Sequence, residues 1–284
     1  MKKVLVSGAA GFIGNYVVRA LLGRGVSVIA TSINEKKAKQ CNWFSDSTYI
    51  PFDLKELDLT INYYDFFHRP DAMIHLAWEG LPNYKSSFHL EENLPRHRDF
   101  LTNLITNGLS DLTVTGTCLE YGMQEGSLEE DMPVSPSTPY ANAKNELRKY
   151  LEALQKDRPF SLKWVRLFYM YGKGQNPNSL LSQLDQAIAR GDKVFNMSGG
   201  EQVRDYLPVE NVAKYITEIA LQEKVGGIIN CCSGAPVSIK EFVKNYLEKI
   251  NKHISLNLGH YPYTDYEPMS FWGDNKKLKS VNNE

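Results

Sequence analysis

The sequence contains few cysteines, no excess of either charge and no long apolar run, and each absence excludes a class of protein. Its four cysteines form no CxxC pair and have no histidine at a zinc-like spacing. We therefore expect no metal site, and reduced thiols in a cytoplasmic protein. Lysine and arginine number 32 against 33 acidic residues, so no overall field would attract nucleic acid or membranes.

No apolar run approaches the roughly 20 residues that a membrane-spanning helix requires. The first residues could open a signal peptide, but the segment 7–11, Ser-Gly-Ala-Ala-Gly, interrupts the apolar run, and we reject that interpretation. Hydrophobic residues make up 42% of the 284 residues, which suffices for a packed core. What remains is a globular protein that must bind any phosphate through local groups.

The first half of the chain alternates between short apolar runs and amphipathic stretches. The apolar runs that predict strands cover 3–6, 26–31, 48–52, 72–76, 112–115 and 162–167. Helical periodicity between them is clearest over 12–23, 90–107 and 140–155. Repeated strand–helix–strand units give parallel strands joined by right-handed crossovers, so the sequence predicts an α/β fold with a doubly wound parallel Rossmann sheet.

After residue 167 the pattern changes to loops and isolated helices, predicted over 179–190, 210–221 and 239–250. The segment 260–272 is rich in tyrosine, proline and tryptophan and has no clear period. We predict a dinucleotide-binding domain over 1–167, to which 204–230 returns. Residues 168–203 and 231–284 are predicted to form a smaller C-terminal substrate-binding lobe.

A glycine-rich turn follows the first strand and opens the first helix. The first glycine would allow the tight turn, the second the approach of a pyrophosphate, and the third close packing of helix and strand. Free N–H groups at the helix start would then face the anion. Gly8, Gly11, Phe12, Ile13 and Gly14 are therefore candidate cofactor-binding residues. The alternative is a structural turn that merely needs glycine.

The end of the second strand bears on the choice of cofactor. An acid usually stands there when the cofactor is NAD, because it binds the adenosine ribose hydroxyls. Here the strand ends at Ser32, which leaves room for a 2′-phosphate, and Asn34, Lys36 and Lys37 could meet its charge. An exposed helix start explains the same lysines equally well. The sequence favours NADP(H), with NAD(H) as the alternative.

Tyr140 and Lys144 lie one turn apart on the same face of a predicted helix. A nearby ammonium favours the phenolate, so we expect Lys144 to lower the pKa of Tyr140 and make it a usable proton donor or acceptor. The spacing YxxxK often occurs by chance. Thr117, however, ends the fifth strand at the carboxyl edge of the sheet, where ligands bind.

Together these residues resemble the extended short-chain dehydrogenase/reductase family, in its NAD-dependent epimerase/dehydratase branch that acts on nucleotide sugars. The resemblance covers nearly the whole chain. Its motifs are the glycine turn, His75-Leu76-Ala77, Thr117-x-x-x-Tyr121-Gly122, Tyr140-x-x-x-Lys144, Arg-Leu-Phe-Tyr-Met-Tyr-Gly at 166–172 and Arg-Asp-Tyr-Leu-Pro-Val-Glu-Asn-Val at 204–212. Each is modest alone, but their order and spacing are highly specific.

The resemblance implies a catalytic role for three residues. Tyr140 would exchange a proton with the reacting sugar oxygen, and Thr117 would orient that oxygen and stabilise a developing alkoxide. Lys144 would lower the pKa of Tyr140 and hydrogen-bond the nicotinamide ribose. A non-catalytic sensor on the same fold is a further alternative, but such proteins commonly lose the tyrosine or the lysine, and both are present.

Other residues would contact the rest of the dinucleotide. Asp53, just after the third strand, is placed to accept from the adenine amino group, with Leu54 beside it, although a turn residue there needs no ligand. The resemblance implies that Leu76 and Ala77 line the dinucleotide, and Phe168 is a further candidate.

Three candidates concern the substrate, a nucleotide-diphosphate sugar. Arg204 resembles the arginine that clamps the diphosphate, a task suited to a bidentate guanidinium. Asn178 resembles a diphosphate-contacting asparagine, with a simple helix cap as the alternative. Trp78 follows the fourth strand and either forms a wall of the sugar pocket or packs in the ordinary way. We expect His75 to be a packed strand residue rather than a catalyst.

The residues after Thr117 limit which type of reaction the protein can catalyse. Dehydratases of this branch carry an Asp-Glu pair there, and this chain has Cys118 and Leu119, which cannot eliminate water. The missing acid after the second strand favours NADPH and so reduction. The run Thr-Cys-Leu-Glu-Tyr-Gly and the stretch 178–205 resemble bacterial 4-ketoreductases of deoxysugar pathways, such as the CDP-abequose synthases.

We therefore predict an NADPH-dependent reductase of a 4-keto-6-deoxy sugar nucleotide in bacterial deoxysugar or lipopolysaccharide O-antigen biosynthesis. The alternative is a nucleotide-sugar 4-epimerase with tightly bound NAD. The family usually dimerises by packing two helices from each subunit into a four-helix bundle. We therefore expect a homodimer, with the predicted helices 90–107 and 140–155 as candidates for its interface.

Overall fold

A computed structural model of the protein describes residues 2–281. Its strands are β1 (Lys3–Ser7), β2 (Ser27–Thr31), β3 (Thr48–Tyr49), β4 (Ala72–His75), β5 (Asp111–Thr117), β6 (Gly126–Leu128), β7 (Ser161–Leu167), β8 (Tyr169–Tyr171), β9 (Val194–Asn196), β10 (Val203–Pro208), β11 (Gly227–Cys231), β12 (Pro236–Ser238), β13 (Ser255–Asn257) and β14 (Phe271–Gly273). Its α-helices are α1 (Phe12–Leu22), α2 (Glu35–Lys39), α3 (Tyr63–Phe66), α4 (Leu94–Thr106), α5 (Pro139–Asp157), α6 (Leu180–Arg190), α7 (Val209–Leu221), α8 (Ile239–Lys249) and α9 (Lys276–Val281). Within this range no helix has both the length and the apolar character needed to cross a membrane.

The central sheet is parallel throughout and has the strand order β11-β7-β5-β4-β1-β2-β3. This confirms the predicted doubly wound Rossmann sheet. From β1 the chain builds outward through β2 and β3, and then crosses back to add β4 on the other side of β1. Where the order reverses, the connections leave to opposite faces, so a crevice opens at the carboxyl ends of β1 and β4.

Helices cover both faces of this sheet. On one face α1 and α7 pack against it through an apolar core that includes Val17 and Ile216. On the other face α3, α4 and α5 pack through a second core that includes Phe100 and Leu147. Because both faces are covered by amphipathic helices, the carboxyl edge of the sheet is the surface left for ligands.

Strands of the second half of the chain, together with β6, form three small sheets, β12-β10-β8, β13-β9 and β14-β6. Helices α6 and α8 share a separate apolar core that includes Leu184 and Val243. Helix α7 and strand β11 return to the main sheet, whereas β10 lies in a small sheet and α9 packs on α7 and β11. The division of the chain into two units at the predicted boundaries stays a prediction.

The structure departs from the predicted elements where proline or aperiodicity intervenes. The predicted helix 90–107 begins with a π-helical turn, His89–Asn93, before α4. Pro95 has no N–H to donate back to residue 91, so the ordinary ladder starts only after it. The predicted strand 48–52 shortens to β3 before Pro51. The aperiodic segment 260–272 contains the start of β14.

The turn between β1 and α1 is packed backbone against backbone. A Cβ atom at Gly14 would lie 2.2 Å from the carbonyl oxygen of Gly8 and 2.8 Å from Cα of Ala9. Neither neighbour is a side chain that could rotate away. The third glycine of the turn is therefore required by the packing of α1 against β1, as the motif predicts.

We expect Gly14→Ala to push α1 away from the turn and to lower the free energy of unfolding by about 1–3 kcal/mol, the usual cost of overpacking. Urea denaturation measures this. Gly226→Ala is the matched control, because its Cβ would lie 3.6 Å from Leu162 O, an ordinary contact. Equal stability of the two variants would contradict the argument.

Candidate active site

The carboxyl ends of β1 and β4 meet through backbone contacts. Gly8 has a φ of +68°, and a Cβ atom there would lie 2.9 Å from the amide nitrogen of Ala77. Ser7 Oγ accepts hydrogen bonds from the amides of Leu76 at 3.2 Å and Ala77 at 3.3 Å. The amide of Gly11 donates to Gly8 O at 2.8 Å. The next amides open α1 and have no partner four residues back within the helix, which suits them to an anion.

A cavity of about 350 Å³, the glycine-turn cavity, runs from this turn along the ends of β2 and β4. The predicted residues on its wall are Gly8, Gly11, Ser32, Asn34, Asp53, Leu54, Leu76, Ala77 and Trp78. The wall also holds residues that no sequence motif indicated, among them Asn93, Arg96, His97 and Phe100. Phe12 is not on the wall; its ring lies edge-on to Tyr16 at 6.2 Å.

At the end of β2 the predicted polar residues bind one another. Ser32 Oγ lies 3.1 Å from the Tyr49 hydroxyl, which donates to Ser32 O at 2.8 Å. Asn34 caps α2 by accepting from the amide of Lys37 at 2.9 Å. Lys37 lines the glycine-turn cavity, whereas Lys36 is exposed and does not. Of the two candidate lysines, the structure brings only Lys37 to the cavity.

Asp53 has the turn role that the sequence left open as its alternative. Its Oδ1 accepts from the amide of Lys55 at 2.9 Å and caps a short 3-10 turn, Leu54–Glu56. The residue also lines the glycine-turn cavity. Contact with an adenine amino group therefore stays a prediction.

A second cavity of about 250 Å³, the tyrosine cavity, lies at the carboxyl ends of β5 and β7. It brings together the predicted catalytic residues Thr117, Tyr140 and Lys144. Ile13 and Phe168, predicted to bind cofactor, line it as well. Leu76 and Trp78 lie on the walls of both this cavity and the glycine-turn cavity, so the two adjoin.

The start of α5 places the tyrosine and the lysine. Thr138 caps the helix by accepting from the amide of Ala141 at 3.2 Å, and Pro139 occupies the first turn, where its missing N–H costs nothing. Tyr140 and Lys144 then follow one turn apart and are both buried. The sequence signals for the helix start therefore also fix the spacing of these two candidate catalytic residues.

Lys144 is directed at the sheet. Its Nζ donates to the carbonyl oxygen of Thr115 on β5 at 2.9 Å and lies 3.9 Å from the centroid of the Trp78 ring. A cation over an indole face is stabilised by the ring quadrupole. These two contacts hold the ammonium in a buried position.

Burial sets the pKa of both groups. Burial raises the pKa of Tyr140, and the neighbouring Tyr84 adds to the shift, while the hydrogen bond with Thr117 opposes it. Burial lowers the pKa of Lys144 to about 7. The expectation that Lys144 lowers the pKa of Tyr140 is wrong for this structure, because the ammonium is turned to a backbone carbonyl and the Trp78 ring. Tyr140 is therefore protonated at neutral pH.

A third cavity of about 750 Å³, the lobe cavity, lies between β8, β9, α6 and the segment 261–267. Asn178 is on its wall, one residue before the N-cap of α6, and its amide donates to Asn176 Oδ1 at 2.8 Å. The residues shared by the lobe cavity and the tyrosine cavity are Tyr84, Tyr169, Met170, Gln175 and Glu267. The three cavities therefore adjoin in series.

Trp78 lies between the tyrosine cavity and a buried pair of histidines. Its ring stacks on His97, with centroids 4.5 Å apart and planes 18° apart. Its Nε1 donates to His89 Nδ1 at 3.1 Å. The ring is thus both packed and part of a cavity wall, which combines the two alternatives that the sequence left open.

His75 belongs to a hydrogen-bonded chain from β1 to α4. Its Nδ1 lies 2.8 Å from Ser7 Oγ, and its Nε2 lies 2.7 Å from His97 Nδ1. Because Ser7 Oγ already accepts two backbone amides, its proton goes to His75 Nδ1, which makes His75 Nε2 the donor to His97. Burial lowers the pKa of His75 to about 3, so the ring stays neutral and acts as a structural link.

Arg204, predicted to clamp the substrate diphosphate, is on the wall of none of the three cavities. Its side chain is 1% exposed, and its Nη2 donates to Glu267 Oε2 at 3.0 Å. Its Nη1 donates to the carbonyl oxygens of Val203 and Met269, and the Phe271 ring centroid lies 4.5 Å away. This placement does not support the predicted clamp. Its partner Glu267 was missed because it lies in the aperiodic segment.

The two residues after Thr117 offer no acid–base chemistry. Cys118 and Leu119 are 6% and 8% exposed and belong to an apolar cluster. Burial raises the pKa of the Cys118 thiol, which therefore remains protonated. Neither residue can therefore supply the acid or base that dehydration requires.

Comparison with known proteins identifies the family. Residues 4–232 match the profile of the NAD dependent epimerase/dehydratase family. The chain belongs to this family. The family predicted from the glycine turn and the YxxxK motif is thereby confirmed, as is the prediction of an enzyme that depends on a nicotinamide dinucleotide.

Relatives align over almost their full length. The chain is 29% identical over 275 residues to dTDP-6-deoxy-L-talose 4-dehydrogenase (NAD(+)) of Aggregatibacter actinomycetemcomitans, covering 95% of this chain and 98% of that one. It is 23% identical to CDP-abequose synthase of Salmonella typhimurium, covering 98% and 91%. Among solved structures, MoeE5 in complex with UDP-glucuronic acid and NAD has a TM-score of 0.81 and 26% identity, covering 98% and 92%.

We expect Arg204→Met to lower the free energy of unfolding by about 3–5 kcal/mol, because it leaves the Glu267 carboxylate without its buried partner. Urea denaturation without any ligand measures this. Lys85→Met is the control, since Lys85 ties the same segment through Asp265 but both side chains are exposed, 58% and 77%. It should unfold near the wild-type midpoint. An Arg204 variant with wild-type stability but weaker nucleotide binding would instead support the predicted role of Arg204 as a diphosphate clamp.

Proposed function

We propose that the protein transfers hydride between a nicotinamide dinucleotide and C4 of a 6-deoxy sugar nucleotide, working as a 4-ketoreductase. The supporting observation is the series of adjoining cavities, with Leu76 and Trp78 shared by the first two and Tyr84 and Tyr169 by the last two. A dinucleotide in the first cavity and a sugar nucleotide in the third would meet beside Tyr140.

The glycine-turn cavity fits a dinucleotide. A Cβ atom at Gly8 would press on the Ala77 amide, and one at Gly11 would lie 2.9 Å from Gly8 O, so the bare glycine backbone is what forms the turn. The first amides of α1 would hold the pyrophosphate. When bound, the dinucleotide supplies the hydride. Leu76 and Ala77 would hold it along the end of β4.

The residues of the tyrosine cavity then transfer one proton to the oxygen on C4 of the sugar. As the carbonyl at C4 becomes an alkoxide, Tyr140 donates its proton to that oxygen, and the raised pKa of this tyrosine keeps the proton available at neutral pH. The Thr117 hydroxyl donates a hydrogen bond to the same oxygen. Cys118 and Leu119 exclude water from this side of the cavity and add no competing acid or base.

The relatives support this chemistry. The name of the Aggregatibacter protein describes oxidation at C4 of a 6-deoxy sugar nucleotide with NAD(+). Reduction at C4 is the same exchange run in the opposite direction, and a reaction and its reverse share one transition state. The direction in the cell then depends on the supply of ketone and reduced cofactor.

We expect Tyr140→Phe to bind NADPH normally but to lose turnover of dTDP-4-dehydro-6-deoxyglucose by about 10²–10⁴-fold, because the variant has no proton to donate. The absorbance of reduced nicotinamide follows the reaction. Tyr121→Phe is the matched control: its hydroxyl donates to Asn230, and it lines none of the three cavities. Near-normal turnover by Tyr140→Phe would contradict the mechanism.

The preferred cofactor in this proposal is NADP(H). The end of β2 carries no acid, and Lys37 lies on the cavity wall beside Ser32 and Asn34. Its ammonium would meet a 2′-phosphate. NAD(H) is the alternative, favoured by the NAD(+) in the name of the Aggregatibacter relative and by the NAD bound to MoeE5.

We expect Lys37→Met to weaken NADPH binding about tenfold and to leave NADH binding unchanged, because it removes one charge-assisted contact to the 2′-phosphate. Fluorescence titration of the reduced cofactors measures both constants. Lys39→Met is the control, since Lys39 is on the same helix but pairs with Glu35 at 2.9 Å. Wild-type protein that prefers NADH would overturn the assignment of cofactor.

A 4-epimerase is the second candidate, favoured by the family match. An epimerase returns the hydride to the same sugar, so it retains its NAD and consumes no reduced cofactor. A ketoreductase oxidises one NADPH for each sugar reduced. The amount of NADPH consumed per sugar therefore separates the two functions.

We also propose a homodimer through α4 and α5. These helices lie side by side, with Thr102 Oγ1 2.9 Å from the Tyr150 hydroxyl.

A further inference from the structure

A buried carboxylate lies beneath the candidate catalytic threonine and has no part in the chemistry described so far. Glu120 is 0% exposed and belongs to the 3-10 turn Cys118–Tyr121 that follows β5. A Cβ atom at Gly116 would lie 2.4 Å from Glu120 Oε1 and 2.2 Å from Trp164 Nε1. Glycine at position 116 is therefore what gives the carboxylate its place against the sheet.

Donors surround this carboxylate. Its Oε1 accepts from the amide of Thr117 at 2.9 Å and from Trp164 Nε1 at 3.0 Å. Its Oε2 accepts from Arg166 Nε at 2.9 Å, and Arg148 Nε lies 3.9 Å away. Neither arginine is on the wall of the tyrosine cavity.

The carboxylate fixes Thr117. The threonine amide is held by Glu120 Oε1, and its Oγ1 accepts from the amide of Leu119 at 3.2 Å. With both groups held, the hydroxyl keeps one proton to donate, and Tyr140 lines the same cavity. Glu120 thus fixes the backbone of Thr117, from which the hydroxyl projects.

The carboxylate also faces Lys144. The titratable groups that influence that lysine electrostatically are Glu120 from the 3-10 turn, His75 from β4, His97 from α4 and His89 from the π-helical turn, and Tyr140 lies one turn before it on the same helix. Burial lowers the pKa of all three histidines, and Tyr140 is protonated, so at neutral pH the histidines and the tyrosine carry no charge. Glu120 alone among them opposes the effect of burial on the pKa of Lys144.

We propose that Glu120 is a positioning residue of the reaction, whose carboxylate holds the Thr117 amide and sets a negative charge opposite the Lys144 ammonium. The role of Thr117 and Lys144 in it rests on the proposed function. Glu120 itself lines none of the three cavities. It acts through the residues that do.

Glu120→Gln tests the charge while keeping the size of the side chain. Loss of a neighbouring anion lowers the pKa of both Lys144 and Tyr140, so both groups lose their protons at lower pH. In the reductive direction we expect the alkaline limb of the kcat/KM profile to move down by about 1 pH unit. The pH profile of NADPH affinity should move in the same direction, and it requires no sugar.

Two further variants separate charge from position and from stability. Glu120→Asp keeps the charge but shortens the reach to Thr117, so kcat should fall on the order of tenfold while the alkaline limb stays in place. Trp164→Phe removes one donor from the same carboxylate and keeps its charge. It should be less stable, with the wild-type pH profile.

An alkaline limb at the wild-type pH in Glu120→Gln would overturn the proposal, as would an equal shift in Trp164→Phe. If neither Glu120 variant folds while Trp164→Phe does, the carboxylate serves the fold instead, which also overturns it. Should the protein reduce no 4-keto sugar nucleotide, the proposed function fails. The NADPH-affinity profiles of these proteins would still decide the role of Glu120.

Discussion

The approach of β1 to β4 through backbone atoms is the constraint on which the rest of the site depends. Gly8 permits it by adopting a positive φ, and Ser7 fixes it by accepting the amides of Leu76 and Ala77. That same serine donates to His75, which extends the link to α4. Leu76 lies on the walls of both the glycine-turn cavity and the tyrosine cavity. The contact of Ser7 with the Leu76 amide therefore also sets where a dinucleotide would meet the tyrosine cavity.

Charge within the site is held at a cost to stability. Burial lowers the pKa of Lys144 to about 7, below the ordinary value of a lysine, so the unfolded chain binds more protons than the folded one between these two values. Stability contributed by this group therefore rises with pH across that window and is lowest below it. The contacts with Thr115 O and the Trp78 ring offset part of the cost, and so does the negative charge of Glu120.

Local sequence patterns were enough to predict the sheet, the glycine turn and the pairing of Tyr140 with Lys144 on one helix face. They failed where side chains distant in sequence meet. Arg204 pairs with a glutamate 63 residues away in a segment with no periodicity, and Ser32 pairs with a tyrosine on another strand. The direction of the Lys144 ammonium was likewise beyond a helical-spacing argument, because it depends on a carbonyl of β5 and on the ring of Trp78.

The pair of Arg204 and Glu267 bears on the reaction even though the arginine touches no cavity. Glu267 lines both the tyrosine cavity and the lobe cavity, where a 4-keto sugar would become an alkoxide in the proposed reaction. An unpaired carboxylate there would oppose that developing negative charge. Arg204 Nη2, 3.0 Å from Glu267, neutralises the charge of this carboxylate. The carboxylate oxygens of Glu267 can still accept hydrogen bonds from sugar hydroxyls. Arg204 thus neutralises a wall residue from beneath the cavity and is not itself displayed on the cavity surface.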